Sequence, residues 1–163
     1  MNRFAFGLGL SLALASAAIV GTTTTPASAQ EVSPDPKAVE KIDQFLKICV
    51  ETPTIEEAAK KVVAANLVHK SMLDKNDNTK LNADKMRFSF QKAYTNAKFY
   101  QTKITRIQKA SVTAIGFKET AEKGSLFKYW VAKKEGQAGL PAPVQVFFPE
   151  GGGEPVLNDF GSF

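Results

Sequence analysis

The chain has 163 residues, 23% of them charged and 44% hydrophobic, with a formal net charge of +5, one Cys and one His. That length fits one domain or two very small ones, and the 12 Phe at this charge fraction describe a folding chain rather than a disordered one. A single Cys excludes a disulfide framework and a zinc ribbon, and a single His removes most metal and triad chemistry.

The first elements in chain order are those of an export signal. Met1 to Arg3 is a short positive start, and Phe4 to Val20 is apolar or small without a charge. Pro26 follows a Thr run, and Ala27-Ser28-Ala29 has the small-x-small form of a cleavage site. This order predicts a secretory signal peptide over 1–29, cut after Ala29. The apolar stretch of about 17 residues is short against the roughly 20 that span a bilayer, so no transmembrane segment is expected after cleavage. The expected location is a bacterial periplasm or the extracellular space. Cleavage leaves 134 residues, Gln30 to Phe163, with a net charge of +4. Cys49 is alone in that oxidising compartment and reads as a small buried hydrophobe.

The mature chain begins with helical periodicity. Asp35-Pro36 is an N-cap followed by Pro at the first helical position. Val39, Ile42, Phe45, Leu46 and Cys49 recur at steps of three and four and define one apolar face, and Pro53 ends the helix. Thr54-Ile55-Glu56-Glu57 is a capping box, and Ile55, Ala58, Ala59, Val62, Val63 and Leu67 form the second stripe. Asp74 to Lys80 reads as a polar loop. A third helix is expected from about Asn82, with Met86, Phe90, Ala93 and Tyr94 facing inward.

From Lys98 the period moves towards two. Tyr100, Thr102 and Ile104 alternate with Gln101 and Lys103. A strand is expected over Val112 to Lys118, with Thr113, Ile115 and Phe117 on one face, and a charged turn over Glu119 to Gly124. Ser125 to Lys134 is the clearest strand, apolar on both faces, and so a central strand. Val144 to Phe148 is a further strand. A loop at Gly151-Gly152-Gly153 leads to a last strand over Val156 to Phe163.

Helices followed by an antiparallel meander predict an α+β fold: N-terminal helices packed on one face of a curved antiparallel sheet of four to five strands, in a single domain over 30–163. Three N-terminal helices before such a sheet, closing on the Val144-Gln145-Val146-Phe147-Phe148 hairpin, resemble the cystatin-like and NTF2-like group of folds in element order. The resemblance implies a pocket in the hollow between sheet and helices, or a homodimer paired through the sheet face. Some members of the group are enzymes and many are binding modules, so the likeness does not decide function.

Asp74, Asn76 and Asn78 stand at the first, third and fifth positions of a calcium loop, but Thr79 replaces the turn Gly and Lys85 the bidentate Glu. A polar loop built on Asx turns is the better reading, and no metal is expected. His69 is expected at the C-terminal end of the second helix, where a cation suits the helix dipole; no neighbour in sequence orients it as a base. The resemblance also implies the acid–base chemistry of ketosteroid-isomerase-like members of the NTF2-like group, in which an acidic base and Tyr or protonated-acid donors line an apolar pocket. Here Glu119 and Glu122 fall in the expected turn, and Asp43 and other helix acids could point inward. Tyr94, Tyr100 and Tyr129 are the donors available.

Charge is uneven: Lys61 to Lys109 holds 11 basic and 3 acidic residues, a net of +8. This stretch, with Lys85, Arg87, Lys92, Lys98, Lys103, Arg106 and Lys109, could meet an anionic envelope surface; nucleic acid is not expected for an exported protein. Among the aromatics, Tyr100, Tyr129 and Trp130 are the candidate ligand-binding residues, because their polar atoms need partners if buried and ligand cavities are largely apolar. The expectation is an exported, non-enzymatic binding protein for a small apolar ligand or a protein partner, without a cofactor. The alternatives are an acid–base enzyme of the NTF2-like kind and a module that meets the envelope through its basic face.

Overall fold

The computed structural model describes residues 33–116 and 121–163. The segment read as a signal peptide, and Phe117, Lys118 and Glu119, lie outside the described residues. Asp35 caps α1 (Pro36–Glu51), its carboxylate accepting the Ala38 amide at 3.0 Å. That bond satisfies one of the amides a helix start leaves without a partner, and Pro36 has no amide there to lose. Ile42, Phe45, Leu46 and Cys49 are buried on the face their spacing marks. Thr54 opens α2 (Ile55–Ala64), its hydroxyl accepting the Glu57 amide at 3.3 Å.

The third helix is compound: a π-helical segment, Lys85–Phe90, runs into α3 (Gln91–Asn96). Asn82 begins it by accepting the Lys85 amide at 2.9 Å. Phe90 and Ala93 are buried, while Met86 and Tyr94 pack half-buried against the same core.

Five strands follow: β1 (Tyr100–Lys109), β2 (Ala114–Ile115), β3 (Glu122–Lys133), β4 (Ala142–Pro149) and β5 (Val156–Asp159). They form one antiparallel sheet in the order β1-β3-β4-β5, with β2 pairing the start of β3. The helices pack against this open sheet, an α+β arrangement, and none among the described residues is long and apolar enough to cross a membrane. The inward face of β3 presents Phe127, Tyr129 and Val131 to the core. On its other face Leu126 joins Ile115 and Phe147 in a second, smaller cluster. In the main core Phe45 meets Phe160 at 4.6 Å and Phe90 edge-on at 6.1 Å. Phe163 packs edge-on against Tyr100 at 4.7 Å, which ties down the C-terminus.

Three expected boundaries move. The strand expected over Val112 to Lys118 is only Ala114–Ile115 among the described residues. The expected turn Glu119 to Gly124 is instead strand from Glu122 on, because β2 pairs with it at Ile115–Glu122 and Ala114–Lys123. The last strand stops at Asp159, whose carboxylate accepts the Gly161 amide at 3.2 Å. The chain then turns inward to bury Phe160 and Phe163. Gly124 sits where β3 meets β4 and leaves no room for a side chain. A Cβ there would lie 2.2 Å from the Phe148 carbonyl oxygen and 2.5 Å from Cζ of Phe147.

Candidate functional site

A cleft opens beside His69, with a volume of about 780 Å³ and walls that include Lys70, Ser71, Asp74, Asn82 and Asp84. His69 does not end a helix as its place in sequence suggests. The second helix finishes at Ala64, and Asn66 follows with φ of 49°. That left-handed conformation is one Asn tolerates and a helix cannot continue through. The chain then runs beside β5: the His69 amide donates to the Leu157 carbonyl at 2.8 Å, and the Leu157 amide to Leu67 at 2.7 Å.

So held, the imidazole is only 3% exposed and packs edge-on against Phe147 at 5.3 Å. Its Nδ1 accepts the Ser71 amide at 3.1 Å, capping the short 3-10 turn Lys70–Met72. An amide can only donate, so Nδ1 carries no proton and the neutral ring holds its proton on Nε2. That proton faces Glu122 Oε2 at 3.3 Å. The Ser71 hydroxyl lies 2.8 Å from Nδ1 and, on the same reasoning, donates to it. Lys70 Nζ closes the row on Glu122 at 2.9 Å. Burial lowers the His69 pKa from 6.5, partly opposed by Glu122. The hydrogen bond from Lys70, ahead of that from His69, lowers the pKa of Glu122.

The orienting neighbour that the local sequence lacks is thus Glu122, 53 residues downstream. Nothing in its own segment marks it, since its side chain is placed by pairing between β2 and β3. Asp43, the other candidate acid, bridges Lys47 at 2.7 Å and Thr102 at 2.5 Å, fastening α1 to β1. The hydrogen bond from Lys47, then that from Thr102, lowers its pKa. The loop with calcium-like spacing turns its oxygens on itself: Asp74 Oδ1 accepts the amides of Asn76 at 2.8 Å and Asp77 at 3.2 Å. No group of three or more metal-ligating side chains occurs among the described residues.

The three aromatic candidates separate. Tyr100 and Tyr129 belong to the main core. Trp130, the next residue along β3, points to the other face of the sheet, as alternation requires. There it pairs with Arg106, whose guanidinium lies 4.5 Å from the ring. No family model, curated protein or solved structure matches this chain.

Proposed function

We propose that the protein is an exported binding domain, that its site is the cleft beside His69, and that its ligand is small and polar, with groups of both charges. The observation that carries this reading is the row Ser71–His69–Glu122–Lys70, each member held by the next, with Ser71, His69 and Lys70 in the cleft wall and Glu122 holding them from behind it. Side chains already fixed in this way lose little further freedom when a ligand arrives. Lys70 and Lys75 stand in the walls with Asp74 and Asp84, a balance that suits a zwitterion such as a free amino acid or a short peptide. Element order like that of NTF2-like binding modules, and the form of residues 1–29, support a binding role outside the cytoplasm. The apolar ligand expected from the sequence rests on Tyr100, Tyr129 and Trp130; the two tyrosines pack in the main core, and Trp130 lies under Arg106.

The test is calorimetric titration with free amino acids and dipeptides, beside fatty acids and neutral sugars. Binding of the zwitterions that weakens in Asp84→Asn is the expected result. Binding of fatty acids without binding of zwitterions refutes the polar reading. Export is tested by the intact mass of protein from its own host, where an N-terminus at Gln30 is expected and one at Met1 overturns it.

A second reading rests on the same row. Hydroxyl, imidazole and carboxylate stand in the order used for nucleophilic catalysis, with the base in the tautomer able to take the hydroxyl proton. Labelling of Ser71 by a fluorophosphonate, lost in His69→Gln, supports an acyl-transfer activity; an unlabelled Ser71 in folded protein refutes it. The other enzymatic scheme, an acid of raised pKa beside a Tyr, finds no support in Asp43 or Glu122, which are both shifted downward.

A further inference from the structure

The outer face of the sheet, away from the helices, carries an ordered cationic patch that the cleft does not use. Register places Arg106 opposite Trp130, and Gln108 opposite Lys128, which in turn faces Gln145 on β4. The register shifts between Ile104 and Arg106, which lets Ile104 pack into the core opposite Val131 while Arg106 faces outward opposite Trp130. Arg106 and Lys128 are diagonal neighbours, about 7–8 Å apart at the backbone. Among the described residues no carboxylate lies within ion-pair distance of Arg106 or Lys128. Two acids border the same face. Glu122 is held by Lys70 and His69, and Asp159 lies across on β5, bonded to the Gly161 amide.

We propose that this face docks an acidic protein surface, with Arg106 and Trp130 at the centre of the contact. Arg106 is prearranged for it. Its guanidinium is stacked on the indole, one amino group donates to Gln108 Oε1 at 3.1 Å, and its other donors are left to grip a carboxylate in the two-pronged manner Arg favours. Trp and Arg are the residues that most often dominate protein interfaces. A second copy of the chain does not fit, because a two-fold contact brings a patch against itself and would oppose cation to cation. A bilayer fits poorly too. Among the described residues the large exposed apolar side chains are Val50, Phe88, Val112 and Leu140, none of them in the strands that form this face.

The probe is poly-L-glutamate added to the full chain, followed by the fluorescence of Trp130, the only Trp in the sequence. Saturable quenching or a shift of emission is expected, weakening by about tenfold in the double variant Arg106→Gln, Lys128→Gln at unchanged melting temperature. The double variant Lys60→Gln, Lys92→Gln removes the same charge elsewhere and should bind as the parent does. Equal weakening in both double variants means diffuse attraction and overturns the proposal. So does tighter binding to phosphatidylglycerol vesicles or to polygalacturonate than to poly-L-glutamate, which assigns the face to a membrane or a polysaccharide. Absence of any Trp130 response at low salt overturns it as well.

Discussion

Replacing Gly124 with Ala tests how closely the sheet and the His69 row are joined. Gly124 has no unusual backbone angle, so the cost is steric alone. The new methyl would meet the Phe148 carbonyl oxygen at 2.2 Å and Cζ and Cε2 of Phe147 at 2.5 and 2.7 Å. Contacts below 3 Å cannot stand, and one of these partners is backbone, which cannot rotate away. Phe147 is completely buried between Leu126 and Ile115, so it too yields only by disturbing its neighbours. Overpacking of this kind costs about 1–3 kcal/mol, and a backbone clash beside a fixed ring places this case near 3. For a domain of this size that lowers the melting temperature by about 10 °C. Because Phe147 backs the His69 ring at 5.3 Å, the imidazole proton resonances should shift in the same variant. Gly151→Ala is the control, since nothing lies within 4 Å of its would-be Cβ and its φ is not positive. Thermal melts followed by circular dichroism read both variants. A loss of less than about 2 °C in Gly124→Ala, or an equal loss in Gly151→Ala, would refute the reasoning.

Three further outcomes follow from the same contacts. Folded His69 resists protonation that the unfolded chain accepts near pH 6.5. The unfolded state therefore binds more protons below that value, and stability should fall as pH drops from 6.5 towards the folded pKa. Glu122, lowered from 4.5, adds a second loss as pH falls through its own folded value; urea midpoints across this range should show both steps, and His69→Gln should remove the first. Burial pushes the Cys49 thiol up to about 12, so a disulfide reagent should leave it untouched in native protein and modify it in urea; fast native modification would contradict its burial. Phe45→Ala opens a cavity facing Phe90, Phe160 and Phe163 and should cost about 3–5 kcal/mol, read as a shift of the urea midpoint without a change in slope.

What the sequence by itself determined was local. Asp35-Pro36 and Thr54 mark helix starts because a cap bonds an amide two or three residues away, and the spacing of Ile42, Phe45, Leu46 and Cys49 marks a buried face because the helical period is short. Apolar residues on both faces of Ser125 to Lys134 announce a central strand, because such a strand is covered on both sides. Tertiary structure decided everything that joins distant segments. His69 reads as a helix-end cation until β5 holds its amide and β3 brings Glu122 to its ring. Glu122 reads as part of a turn until the short β2 pairs with it. Tyr129 and Trp130 look alike in the sequence, yet one fills the core and the other lies beneath Arg106, because the two faces of a strand take their character from what packs on each. The single His is the residue around which the candidate site is built: its own segment brings the Ser71 hydroxyl to one nitrogen, and only the fold brings the Glu122 carboxylate to the other.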